Sequence, residues 1–267
     1  MLRSVLLKSL RDQRRALLWW GTGLVALAVF TLLFYPSFRD MGSEMQKLAE
    51  RMPEELLLLF AGESKDMTSP EGFLNSQLFV LMVPLLFMVF AIGMGSGAIA
   101  GEEERGTLEL LLSNPVPRWR VAWEKFAATV LAVAILAFVF WVGLEVTSVG
   151  VGMEAGAGRM AEATLSAVLL ALAFGALALA VGCATGSRGL SIGVSSAVGV
   201  AAYFLNALAP VVEVLQPYRK VSPFYYYMGA DPLANGLNLV HASVLIGLVV
   251  VLLAAALITF ERRDLAT

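Results

Sequence analysis

The chain is poor in the residues that usually do chemistry. It has one histidine, His241, and one cysteine, Cys183, among 267 residues. A single cysteine excludes an internal disulfide, and in an apolar run it reads as a small packed hydrophobe. A lone histidine with no carboxylate beside it in sequence gives no metal-ligand pattern. The phosphate loop Gly-x-x-x-x-Gly-Lys-Ser/Thr is absent, so ATP has no binding loop of that kind here. Charge is scarce too. Asp, Glu, Lys and Arg make up 15% of the sequence, against about 25% in soluble domains. A net charge of −2 gives no reason to expect nucleic acid as a partner. Together these absences point away from an enzyme.

What is present is apolar. Hydrophobic residues are 58% of the chain and the mean hydropathy is +0.77, the composition of an integral membrane protein. About 20 apolar residues cross a bilayer as a helix, because only a helix satisfies its own backbone there. Six stretches qualify, roughly Leu17–Tyr35, Leu78–Ala100, Phe126–Ser148, Leu165–Ala184, Ile192–Val212 and Val244–Phe260. The expected fold is therefore an all-α polytopic membrane protein of six transmembrane helices, with residues 1–267 forming one domain. The turn "GSRGLS" makes a tight hairpin of the fourth and fifth spans. Residues 1–16 read as a retained amphipathic interfacial helix rather than a cleaved signal. There Arg3, Lys8, Arg11, Arg14 and Arg15 alternate with Leu2, Val5, Leu6 and Leu10.

Lys and Arg near the spans set the orientation. With the N-terminus inside, the cytoplasmic segments collect the basic residues of 1–15 together with Arg105, Arg118, Arg120, Lys125, Arg188, Arg262 and Arg263. The longer external segments hold fewer. Six spans then return the C-terminus to the cytoplasm. Of the external segments, 36–73 places Met41, Met45, Leu48, Met52 and Leu59 at near-helical spacing, which predicts an amphipathic helix on the outer face. Segment 213–243 is rich in Pro, Gly and Tyr and reads as a loop or as short helices dipping into the outer leaflet. Tyr225, Tyr226 and Tyr227 look like an interfacial aromatic belt.

Polar groups within the spans are few. Glu145 lies near the outer end of the third span, as an interfacial carboxylate or a pathway contact. Asn206 lies deep in the fifth, for a helix–helix hydrogen bond or a substrate contact. Small residues are common: Gly93, Gly97 and Gly101 recur every four positions, Gly182 and Gly186 close the fourth span, and Gly189 and Gly193 open the fifth. Such stripes let helices approach closely, within one chain, at a dimer seam or along a moving surface.

The densest polar patch is "GEEERGTLELLLSNPVPRWRVAWEKF", from Gly101 to Phe126. Three glutamates crowd a helix start, where the dipole favours negative charge. Leu108, Leu111 and Leu112 give the helix an apolar face, Asn114 and Pro115 stop it, and Pro117 suits the first turn of the third span. Trp119 and Trp123 sit at the inner interface. This predicts a cytoplasmic helix over 101–117 joined to two spans, so that a partner gripping it moves both.

That run resembles the signature of ABC-2-type transporter permeases. In that pattern Glu-x-x-x-Gly-Thr-Leu-Glu precedes a Pro-Val-Ser/Pro-Arg turn and a lysine entering the next span. The matching positions are Glu102, Gly106, Thr107, Leu108, Glu109, Pro115, Val116, Arg118 and Lys125, with Pro117 where serine is common. The resemblance covers nearly the whole chain. It implies a permease subunit in a prokaryotic plasma membrane that pairs with a second copy, as a homodimer or a heterodimer, and with two cytoplasmic ATP-binding subunits. ATP and Mg are bound by those partners, and this chain carries no cofactor. The resemblance implies that 101–117 is the coupling helix, with partner contact through Glu102, Glu104, Arg105, Gly106, Thr107, Glu109, Pro115 and Arg118. It also implies re-entrant helices before the sixth span. A passive channel or carrier, and a non-transporting membrane anchor for an ATPase, stand as the alternatives.

Overall fold

The computed structural model describes residues 5–40, 69–112, 116–229 and 231–263. Among these residues the regular structure is helical, with no strand. Six helical runs are long and apolar enough to cross a membrane: Val5–Arg39, Pro70–Ala98, Arg118–Gly150, Ala157–Thr185, Arg188–Leu208 and Leu239–Arg262. The protein is an all-α polytopic membrane protein.

The helix ends follow capping chemistry rather than hydropathy. The first helix, α1, is unbroken from Val5 to Leu33, and α2 (Tyr35–Asp40) follows. The described part of the basic N-terminal stretch is therefore continuous with the first span. No proline or glycine interrupts it before the apolar residues begin, so the helix simply continues. The second span starts at α3 (Pro70–Leu74), where the Ser69 hydroxyl accepts the Gly72 N–H and Pro70 opens the first turn. A π-helical turn over Asn75–Phe79 leads into α4 (Met82–Ala98). Between them Val80 and Leu81 break the helix. Pro84 is the cause: it offers no N–H to the Val80 carbonyl, and its ring crowds that carbonyl. The expected outer helix with Met41, Met45, Leu48, Met52 and Leu59 lies outside the described residues.

Two short helices follow, α5 (Ala100–Glu104) and α6 (Thr107–Leu112), and then the third span, α7 (Arg118–Gly150). Pro117 caps α7 with extended backbone instead of sitting in its first turn. The fourth span is α8 (Ala157–Thr185) and the fifth is α9 (Arg188–Leu208). Their turn is two residues long. Gly186 takes the left-handed conformation (φ 69°) that closes α8, and the Ser187 hydroxyl accepts the Leu190 N–H to start α9. Segment 213–243 folds into a 3-10 helix (Glu213–Val221), α10 (Pro223–Met228) and α11 (Pro232–Asn235). The sixth span, α12 (Leu239–Arg262), then starts on an Asn238 cap.

Helix α8 is the centre of the bundle. Of its spanning window 72% is buried, against 22% for α1 and for α12 and 28% for α9. The peripheral helices thus keep broad apolar faces open to lipid or to a partner. Helices α4 and α8 approach closely at Gly95 and Gly175. A Cβ on Gly95 would overlap the Gly175 carbonyl oxygen and stand 3.2 Å from the Leu179 nitrogen. The recurring Gly93 and Gly97 behave differently, because both face open space. Gly101 lies under the Arg188 side chain, and Gly182 faces Ala100 and Ser191. Cys183 is buried in a cluster with Leu108, Phe126, Leu179 and Phe260, as a packed hydrophobe.

Tyr227 departs from the expected aromatic belt. It is buried, and its hydroxyl donates to the Phe79 carbonyl at the break in the second span. Burial pushes the hydroxyl pKa far up, and the nearby Asp231 charge pushes it the same way. It stays a neutral donor at any physiological pH. Tyr227→Phe should leave that carbonyl buried without this donor and destabilise the fold by about 1–3 kcal/mol. Amide hydrogen exchange at residues 79–83 should quicken more than exchange in α8. Equal quickening everywhere would show that the hydroxyl does not act at the break. Tyr225 and Tyr226 are partly buried and pack on His241, with ring centroids 5.5 Å and 5.4 Å away.

Candidate functional site

Both described ends of the chain, the α5–α6 elbow and the α8–α9 turn meet at one end of the bundle. Charged side chains tie them together. At Ile99 the backbone departs from helical geometry (φ −116°), so α5 leaves the axis of α4. Gly106 adopts φ 68°, open to glycine at no steric cost, and turns the chain from α5 into α6. The Thr107 hydroxyl donates to the Glu102 carbonyl at 3.2 Å and so steadies this elbow. Leu108, fully buried among Val121, Ala122 and Phe126, pins α6 to the start of α7.

Each of the three elbow glutamates points to a different helix. Glu102 forms an ion pair with Lys125 of α7, whose ammonium is nearly buried. Glu103 pairs with Arg263, just past α12. Glu104 accepts the N–H of Arg188, the first residue of α9, at 2.8 Å. A carboxylate there meets both an orphan donor and the positive end of the helix dipole. Arg263 is the hub. Its guanidinium also donates to the Cys183 carbonyl at 2.9 Å and the Gly182 carbonyl at 3.4 Å, at the end of α8. Its own carbonyl accepts from Arg118 of α7 at 2.8 Å. Gly186 passes so close that a Cβ there would stand 2.9 Å from the Glu103 carboxylate.

The N-terminus is tied in the same way. Glu124 accepts the N–H groups of Val5 and Leu6 at 2.8 Å and 3.3 Å, while Arg120 holds its other oxygen at 2.9 Å. A carboxylate from α7 therefore caps α1 from a distance. Every one of the six spans thus has a polar tie to this end of the bundle, directly or through the elbow.

The residues singled out in the sequence separate into two groups. Arg105, Gly106, Thr107 and Glu109 are exposed on the outer side of the elbow. Glu102, Glu104 and Arg118 are engaged with other helices of the same chain. Pro115 lies outside the described residues. Asn206 is buried, and it meets segment 213–243 rather than another span. Its amide donates to the Met228 sulfur at 3.6 Å, and its oxygen accepts from Arg219 at 3.3 Å. Glu145 is partly buried, with one carboxylate oxygen unpartnered among the described residues. Sequence reasoning missed Glu103, Glu124, Arg188 and Arg263 as structural partners. The only signal was their position at helix ends on the basic side, and nothing local says which end meets which.

A second feature lies at the surface of the bundle. An apolar cavity of about 390 Å³ opens between α4 and α9, lined by Leu85, Met88, Ile92, Gly199, Tyr203 and Phe224 among others. It sits next to the break in the second span. No group of three or more His, Cys, Asp or Glu side chains that could hold a metal occurs among the described residues.

The family model described as "ABC-2 family transporter protein" matches residues 3–265. No curated protein matches the chain.

Proposed function

The chain belongs to the ABC-2 transporter family, and on that premise we propose that it is the membrane subunit of an ATP-driven exporter. In this reading it works as a dimer powered by separate cytoplasmic ATPase subunits. The α5–α6 elbow is the part the ATPase grips. What carries the proposal is the wiring of that elbow: its exposed edge offers Arg105, Gly106, Thr107 and Glu109, while its inner edge grips α7, α9 and the end of α12. A push on the exposed edge then reaches the spans through short ion pairs and through the continuous backbone of α4 and α7. A partner that binds one arrangement of the elbow more tightly shifts the population of the spans.

The apolar cavity between α4 and α9 suits a hydrophobic or amphipathic cargo, because it has almost no polar lining to recognise a charged one. The partly exposed Gly93 and Gly97 side of α4, with nothing within 4 Å of a Cβ at either position, leaves room for a second copy even with a methyl added.

Charge reversal at Arg105 tests the elbow. Arg105→Glu should lower permease-dependent ATPase stimulation at least tenfold in the reconstituted complex while leaving the thermal midpoint of the permease unchanged, since Arg105 is exposed. Stimulation at the wild-type level would remove the elbow from the docking surface. Co-purification with ATPase subunits separates this reading from a passive channel, and ATP-dependent flux in vesicles separates it from an anchor.

A further inference from the structure

We propose that the outward stripe of α1 formed by Lys8, Arg11 and Arg15 binds an anionic phospholipid. Arg11 and Arg15 hold the phosphate, and an acyl chain lies along Leu18 and Trp19. Positions 8, 11, 15, 18 and 19 fall on one side of a helix by their spacing. All five are exposed, with Leu18 at 70% and Trp19 at 78%. Cations therefore occupy one end of the stripe and large apolar groups the other, in the order that a lipid presents its headgroup and chains.

Depth makes the stripe more than a basic surface. α1 runs beside α7 in the same direction from its first residues to Val25. The Val5 and Leu6 N–H groups meet Glu124, a Cβ on Gly21 would lie 3.7 Å from Leu136, and a Cβ on Gly143 would lie 3.0 Å from Val25. Arg15 is ten residues beyond Val5, so at 1.5 Å per residue it stands about 15 Å further along the bundle than the Glu124 contact. That is level with the part of α7 that exposes Leu131 and Ile135, an apolar and lipid-facing height. Cations at such a height extend their side chains back towards the headgroups.

Among the described residues none of the three makes an ion pair. Asp12 is the acid on the same side, which leaves three cations and one carboxylate, a net charge of +2. A phosphodiester satisfies two neighbouring guanidinium groups through bidentate hydrogen bonds, which water at a membrane boundary does less well. Arg262 provides the internal comparison. It has the same charge, is exposed and lies at the same end of the bundle, but on α12 rather than on the α1 stripe.

The test compares the full-length protein in vesicles of phosphatidylcholine alone and of phosphatidylcholine mixed with phosphatidylglycerol. Thermal midpoint and lipid retained in native mass spectrometry are the readouts. Wild type should gain several degrees from phosphatidylglycerol and retain it through detergent exchange. Arg11→Gln/Arg15→Gln should lose that gain and retain at least fivefold less lipid, whereas Arg262→Gln should match wild type. Arg11→Lys/Arg15→Lys keeps the charge and the fold but loses the bidentate geometry, so its retention should fall between the two. Inorganic phosphate should not reproduce the gain. Equal losses in Arg262→Gln and the double variant would replace the site with diffuse attraction. A gain independent of lipid charge, a gain from free phosphate, or retention changed only by dimer formation would each overturn the proposal. None of these readouts depends on ATPase coupling, so the result stands apart from the proposed function.

Discussion

Gly95→Val is expected to abolish the folded permease, while Gly93→Ala on the same helix leaves it nearly unchanged. The contrast is geometric. At Gly95 a single added carbon would overlap the Gly175 carbonyl oxygen and press on the Leu179 backbone nitrogen. Neither can step aside, because both belong to the backbone of α8, the most buried helix of the bundle. Overpacking a well-filled interior by a methylene costs about 1–3 kcal/mol even where side chains can rearrange. With backbone as the obstacle, Gly95→Ala should cost about 3 kcal/mol and valine more. At Gly93 a Cβ would meet nothing within 4 Å, so a methyl there should stay within about 0.5 kcal/mol of wild type. Thermal melting of both variants in detergent measures the difference. Similar midpoints for Gly93→Ala and Gly95→Ala would mean that α4 and α8 do not pack as described.

The second large effect belongs to Arg263. Arg263→Glu removes the partner of Glu103 and withdraws the donor that serves the Gly182 and Cys183 carbonyls. It also sets a carboxylate among groups that all accept hydrogen bonds. Breaking a buried pair by losing one partner costs about 3–5 kcal/mol, because the survivor keeps its desolvation penalty. The Arg263 and Glu103 side chains remain 17% and 22% exposed, so the lower end, about 3 kcal/mol, is the expected loss. Reversing the pair as Glu103→Arg/Arg263→Glu should recover part of this. Recovery stays incomplete because an arginine at 103 need not reach the α8 carbonyls. A double-mutant cycle on thermal midpoints isolates the pairwise contribution. If the reversed pair is no more stable than the worse single variant, the ion pair contributes nothing and the carbonyl contacts carry the anchor. The same variants should weaken ATPase stimulation in the assembled complex, since Arg263 joins the elbow to α8 and α12.

These two cases show how far the sequence reaches. The second-span glycines were visible as a repeat, Gly93, Gly97 and Gly101, and the repeat marks one helix side. The contact that matters is Gly95, which no repeat signals. Which side of α4 faces α8 depends on how the helix is turned below the Pro84 break, and that is settled only when α8 is in place. Likewise the three elbow glutamates read as capping acids at a helix start. Their partners Lys125, Arg188 and Arg263 lie tens to more than a hundred residues away, so no local pattern could pair them. Tyr227 shows the reverse error. Its place in a tyrosine run suggested a shared interfacial role, but burial against Phe79 separates it from Tyr225 and Tyr226.

By itself the sequence determined six membrane-crossing helices, their order, the tight turn between the fourth and fifth spans, and the polar elbow between the second and third spans. It could do so because a bilayer admits few backbone solutions and because caps and turns are written in neighbouring residues. Only the tertiary structure decided that α8 is the centre, that Gly95 rather than Gly93 meets backbone, and that Arg263 ties the elbow to the ends of α8 and α12. The reason is that lipid and protein interior are equally apolar, so hydropathy identifies a span without saying which of its sides another helix will cover.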